Sequence, residues 1–202
     1  ISNDITLDEN GILLYGKNAC GKSTLMKSIG LSIIMAQSGF FVPCSCLKYS
    51  PYTQIFTRIL NNDNLFLGQS SFAIEMNELR SILLRANNNS LVLGDELCSG
   101  TENTSALAIV GAGLKTLSNI KCSFIFTSHL HQLMDIEIVK NISNLSIFHL
   151  KIIYDQEKDL LIYDRKLEKG SGPAIYGLEV CKAMGLDKEF ISLARSVQLE
   201  LT

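Results

Sequence analysis

The chain has 202 residues, 47 % of them hydrophobic and 19 % charged, which is enough to fill one domain core and excludes a disordered segment. Eighteen Lys and Arg against twenty Asp and Glu leave a formal charge of −2, which excludes a segment that grips nucleic acid by bulk positive charge. No apolar run is long enough for a bilayer and no leader precedes the first element, so the expectation is a soluble, intracellular segment with no membrane partner, and the start at Ile1 rather than Met reads as a piece of something longer.

Ile12–Tyr15 is a short apolar run with the pattern of a buried strand, and it ends at Gly16. Gly16-Lys17-Asn18-Ala19-Cys20-Gly21-Lys22-Ser23-Thr24 then fits the phosphate-loop pattern GxxxxGK[ST]. Its glycines let successive backbone N–H groups turn toward one point at a helix start, where an anion is favoured. Lys22 is placed to reach the β- and γ-phosphates of a nucleotide, and the Ser23 hydroxyl to join a Mg²⁺ shell. A glycine turn that merely caps a helix carries similar letters, but the strand before and the helix after favour the phosphate loop. The helix is marked by Leu25, Ile29, Ile33 and Ala36 at three- and four-residue spacing.

Past Gly39 the chain loosens around Pro43 and Pro51, and Cys44 and Cys46 lie there without the partner spacing of a zinc site. Gln54 to Ile59 reads as a strand. Phe72, Met76, Leu79, Leu83 and Ala86 mark a second helix, with Ser70 and Ser71 as cap candidates and Asn87-Asn88-Asn89 as its break. Leu91–Gly94 is another buried strand, and it ends in Asp95-Glu96. In a parallel sheet that end faces the ligand, so Asp95 is placed to hold Mg²⁺ and Glu96 to orient or deprotonate the attacking water.

A helix over about 104–117 and a strand from Cys122 to Thr127 follow, and the strand closes on Thr127-Ser128-His129. His129 shares the edge of the two earlier motifs and is a candidate γ-phosphate sensor, while His131 and His149 have no such context. Leu130 to Ile138 reads as a short helix, and Leu145–Ile153 and Leu160–Leu167 as strands around the charged turn 155–159. After the break Gly170-Ser171-Gly172-Pro173 come helices over 174–184 and 187–201, the second with Phe190, Ile191, Ala194, Val197 and Leu201 on one face. Alternating strands and helices define an α/β fold, a mostly parallel sheet flanked by helices over 1–169, with a helical appendage over 170–202. The six cysteines have no framework spacing and suit a reducing compartment, with Cys122 as a buried small hydrophobe.

Several of these segments, taken together, carry a family likeness. The phosphate loop with Asn18, Phe56-Thr57-Arg58-Ile59, Ser70-Ser71-Phe72-Ala73-Ile74-Glu75-Met76, Asp95-Glu96 with Gly100-Thr101, Ser128-His129, and Tyr176-Gly177-Leu178 stand in an order that resembles the ATPase domain of the MutS DNA mismatch-repair family. The resemblance runs over nearly the whole chain. It implies a P-loop ATPase of ABC type that binds and hydrolyses ATP with Mg²⁺ and acts as a homodimer or a MutS-like heterodimer. It also implies that Ser70 or Ser71 contacts the γ-phosphate held by the other subunit. The segment 174–201 is similar to the family's helix-turn-helix for dimerisation, and mismatched DNA would be gripped by domains outside this chain.

The chain departs from the pattern at four places. Lys17 stands where the family has Pro, and Cys20 where it has glycine or alanine. Cys98-Ser99-Gly100-Thr101 replaces Gly-Arg-Gly-Thr, which takes an arginine out of the loop that faces the partner. Thr-Ser-His replaces Ala-Thr-His. None of these removes an ATP ligand. Among other readings, a transporter-like or SMC-like ABC subunit lacks its LSGGQ-like segment here, where Ser-Ser-Phe stands in that role. A nucleotide-binding scaffold without turnover is disfavoured by intact Lys22, Ser23, Asp95 and Glu96. A RecA-like motor has no place for the Ser-Ser-Phe helix, and a DNA-reading helix-turn-helix would offer only Lys188 and Arg195 as cations on its second helix.

Overall fold

The computed structural model describes residues 1–7, 11–16, 20–59, 71–155, 160–172 and 177–200. One sheet is built from β1 (Gly11–Tyr15), β2 (Gln54–Arg58), β3 (Ser90–Gly94), β4 (Ser123–Ser128), β5 (Leu145–Asp155) and β6 (Leu160–Lys169). The strand order is β2-β3-β4-β1-β5-β6. Every neighbouring pair is parallel except β5 with β6, which run antiparallel. The α/β architecture and mostly parallel sheet agree with the sequence pattern.

Strands β1, β3 and β4 are buried on both faces, which is why they read as unbroken apolar runs. Side chains alternate between the two layers. Ile12, Leu14, Leu91, Leu93 and Ile125 meet Met26 and Ile33 of α1 (Lys22–Gln37) on one face. Leu13, Tyr15, Val92, Phe124 and Phe126 meet α2 (Ser71–Arg85) and α3 (Asn103–Ile120) on the other, through Leu79, Ile82, Val110, Leu114 and Leu117. The buried stripe of α1 is Met26, Gly30 and Ile33, with Leu25 and Ile29 only flanking it. Gly30 sets that rotation, because a Cβ there would stand 2.5 Å from Leu93 Cδ1.

The segment expected as a helix over Leu130–Ile138 is instead a 3₁₀ turn at His131–Asp135 followed by the short α4 (Glu137–Lys140). Ile136 between them is extended, and the segment is pinned to the sheet end: Tyr15 Oη donates to Leu130 O at 3.2 Å and its ring stacks on His131. At the far edge Asn3 holds a bulge of β6, donating to Arg165 O and accepting Leu167 N–H. Arg165 is left-handed there (φ 59°), where the β5–β6 register shifts.

Beyond β6 come α5 (Gly177–Ala183) and α6 (Lys188–Glu200), separated by a left-handed Gly185. Of the residues assigned to one face of the last helix, Ile191 is buried and Phe190 and Val197 are exposed. Residues 174–176 and Leu201 lie outside the described residues, as does most of the turn 155–159. Among the described residues no helix is long and apolar enough to cross a membrane.

Candidate functional site

Because β1, β3 and β4 are parallel, their carboxyl ends share one edge of the sheet, and the three chemistry-bearing segments follow those ends. Gly16 leaves β1 at φ 151° and Gly21 caps α1 at φ 106°, conformations that favour glycine. A Cβ at Gly16 would stand 2.6 Å from Cys20 Sγ, so the turn has no room for a side chain. Burial pushes the Cys20 thiol above its ordinary pKa, and the neighbouring Lys22 ammonium opposes that rise.

Lys22 is 3 % exposed. Its ammonium donates to Gly16 O at 2.6 Å and lies 3.0 Å from Glu96 Oε1. Ser23 Oγ donates to Asp95 Oδ1 at 2.8 Å. Thr127 Oγ1 donates to the same oxygen at 2.6 Å and accepts Glu96 N–H at 3.0 Å. Asp95 N–H in turn donates to Arg58 O at 2.7 Å. Lys22, Ser23, Asp95 and Glu96 are therefore brought together, with Thr127 locking the two acids side by side.

The Ser23–Asp95 pair offers hard oxygen ligands at a helix start, beside a cation. Among the described residues no group of three or more His, Cys, Asp or Glu is placed to hold a metal. Mg²⁺ keeps waters and is bound by one or two protein oxygens together with substrate phosphates, so Ser23 Oγ and Asp95 are the residues here that could hold it.

Other expected residues are less engaged. His129 follows β4 at the same edge and is exposed, with its carbonyl accepting His131 N–H. Thr24 is exposed on α1. Ser71 heads α2, whereas Lys17, Asn18, Ala19, Ser70 and Tyr176 lie outside the described residues. Cys98 is buried in the loop after Glu96, and burial, reinforced by the Glu75 carboxylate, pushes its thiol up to about 11. Three residues that the sequence reading gave no chemical role matter here: Thr127, Arg58 and Glu75. The only signal for Thr127 was its place next to Ser128-His129, and for Arg58 and Glu75 their places in the segments Phe56–Ile59 and Ser70–Met76 that carry the family likeness.

A family model described as MutS domain V matches residues 12–202. A mutS homolog from Acanthamoeba polyphaga mimivirus is 48 % identical over 196 residues, covering 96 % of this chain and 17 % of that protein. The mitochondrial DNA mismatch repair protein mutS homolog of Sarcophyton glaucum is 43 % identical over 194 residues, covering 96 % of this chain and 19 % of the relative. The DNA mismatch repair protein MutS of Prochlorococcus marinus strain MIT 9301 is 39 % identical over 200 residues, covering 98 % and 22 %. The chain belongs to the MutS family and corresponds to its domain V. It spans about a fifth of the length of these relatives.

Proposed function

We propose that the chain is the ATP-binding and ATP-hydrolysing switch module of a DNA mismatch repair protein. Its P-loop core of ABC type would occupy 1–169 and its dimerising helical appendage 170–202. The observation that carries the reading is the convergence of Lys22, Ser23, Asp95 and Glu96 on the phosphate-loop edge, with Lys22 Nζ 3.0 Å from Glu96 Oε1. The half-exposed apolar residues Phe190 and Val197 of α6 support a protein partner for the appendage.

The backbone of 16–21 and the start of α1 would receive the β-phosphate. Lys22 would exchange its bonds to Gly16 O and Glu96 for the β- and γ-phosphate oxygens, and that exchange frees Glu96. Glu96 would then align a water and accept its proton as the water oxygen bonds to the γ-phosphorus. The bond from that phosphorus to the bridging oxygen breaks, and ADP and phosphate leave. Mg²⁺, held by Ser23 Oγ and Asp95, would offset charge on the β- and γ-phosphate oxygens. His129 is the candidate sensor of the γ-phosphate, and Ser70 or Ser71 would reach the γ-phosphate of the other subunit from the head of α2. ATP binding would close the two subunits and hydrolysis release them, relaying that state to DNA-binding parts elsewhere in the full-length protein.

Equilibrium nucleotide binding tests this division of roles in the full-length protein. Lys22→Ala should lose ATP affinity, since Lys22 contacts the phosphates in the ground state. Glu96→Ala should keep binding and lose turnover, since it acts on the attacking water. Loss of ATP binding by Glu96→Ala as complete as that by Lys22→Ala would refute the assignment.

A further inference from the structure

Buried polar groups outside the phosphate site join α2 to the loop that carries Glu96. Glu75 lies one turn into α2, is 6 % exposed, and accepts Cys98 N–H at 2.9 Å through Oε1. Arg58, at the end of β2, brings Nη2 to 3.6 Å from that same oxygen. Its Nε lies 2.9 Å from Glu78 Oε2, close enough for an ion pair though not aligned for a hydrogen bond. Its Nη1 donates to Ile59 O at 2.9 Å. Arg58 O accepts Asp95 N–H, so the loop is held at one end by β2 and three residues later by α2. Between these anchors Glu96 has φ 45°, and at the second anchor Cys98 has φ 62°. Such left-handed angles persist in residues with a Cβ only where the surroundings impose them.

We propose that Glu75, braced by Arg58, is a positioning residue that ties the head of α2 to the placement of Glu96. A ligand met by the head of α2 thereby alters the water-activating carboxylate of the same subunit. The inference rests on the ATPase reading above. In that reading the head of α2 meets the partner's nucleotide while Glu96 serves the nucleotide of its own subunit, so Glu75 stands between the two sites of a dimer. The physical link is the Cys98 N–H. When α2 shifts, that buried donor either follows its acceptor, turning the loop, or is left unpaired at a high cost. This tie does not use the arginine that the loop 98–101 lacks relative to its family pattern.

The test uses dimers of the full-length protein with Mg²⁺ and ATP. Glu75→Ala removes the acceptor, whereas Glu75→Gln keeps an amide oxygen for Cys98 N–H and leaves Arg58 with Glu78. Misplacement of Glu96 by Glu75→Ala should lower kcat about a hundredfold with KM near the wild-type value. Glu75→Gln should restore most of kcat, which a merely charge-balancing role would not allow. Should Glu75→Ala fail to fold, Glu75→Asp takes its place: it keeps a charge beside Arg58 but draws the acceptor back, and the same fall in kcat is expected. The coupling is read in mixed dimers whose partner subunit carries Lys22→Ala. Turnover per intact site should differ from that of dimers with both sites filled, and Glu75→Ala in the active subunit should erase the difference. Near-normal kcat in Glu75→Ala, Glu75→Gln no better than Glu75→Ala, or an occupancy dependence that is absent or survives Glu75→Ala would each overturn the proposal. These results count against this inference alone when the Lys22→Ala homodimer is inactive. An active Lys22→Ala homodimer overturns the ATPase reading and this inference with it.

Discussion

Replacing Thr127 by Val tests how the acid pair is held, because it removes one hydroxyl while keeping the shape of a side chain that is 1 % exposed. That hydroxyl donates to Asp95 Oδ1 at 2.6 Å and accepts Glu96 N–H at 3.0 Å. A hydrogen bond to a charged group contributes about 1.5–3 kcal/mol, and an orphaned buried donor costs about 1–3 kcal/mol. Asp95 Oδ1 still receives Ser23 Oγ, so the carboxylate is not abandoned, and the first figure falls toward its lower end. The new methyl also gains a little from burial. A net loss of about 3 kcal/mol follows from these terms. Urea unfolding of wild type, Thr127→Val and Thr127→Ser measures it, with the midpoint shifting and the slope unchanged. Thr127→Ser should recover most of the loss. A Thr127→Val protein within about 0.5 kcal/mol of wild type would show that the hydroxyl does not hold the acids, since such small effects belong to surface changes.

Gly11→Ala should destabilise the fold by about 1–3 kcal/mol through overpacking, since the new Cβ would stand 1.9 Å from Phe124 Cζ; an unchanged urea midpoint would contradict the packing described. Burial pushes the Cys122 thiol from 9.0 up to about 11, so the unfolded chain gives up that proton first. Its contribution to stability is complete below about pH 9 and is lost as pH rises through about 11. The decline should be shallower in Cys122→Ala, and equal pH slopes for the two proteins would count against it. The isolated chain, with a formal charge of −2, should bind random duplex DNA weakly at physiological salt. Micromolar binding that falls steeply with salt, read by fluorescence anisotropy, would reveal a basic face that bulk charge conceals.

Where a strand is covered on both sides, composition alone reveals it. Leu91-Val92-Leu93 and Phe124-Ile125-Phe126 are apolar at every position because each neighbour faces a different helical layer. Helix orientation is harder to read from the same letters. The spacing of Leu25, Ile29, Ile33 and Ala36 marks the helix α1, but it does not show that Met26 and Gly30 are buried with Ile33 while Leu25 and Ile29 flank them. Gly30 adds nothing to a hydrophobic pattern yet lies close against Leu93. The segment after His129 failed for a different reason: its conformation depends on the Tyr15 hydroxyl and ring, more than a hundred residues away in sequence. On α6 the apolar face is genuine, but pattern does not say what covers it, and within the described chain only Ile191 is buried.

The candidate site divides along the same physical line. Lys22, Ser23, Asp95 and Glu96 were legible because the phosphate loop follows β1 and the acid pair follows β3, and parallel strands carry their ends to one edge whatever the exact register. Thr127, Arg58 and Glu75 were not, because their roles depend on register and on contacts across elements. Gly94 pairs with Phe126, which sets Asp95 beside Thr127, and Arg58 pairs with Gly94, which sets its carbonyl against Asp95 N–H. A one-residue slip in either pairing would leave the local sequence signals intact and separate Asp95 from both supports. Groups that do chemistry can therefore be found from neighbours along the chain, while groups that hold them in place are found only from neighbours across the sheet.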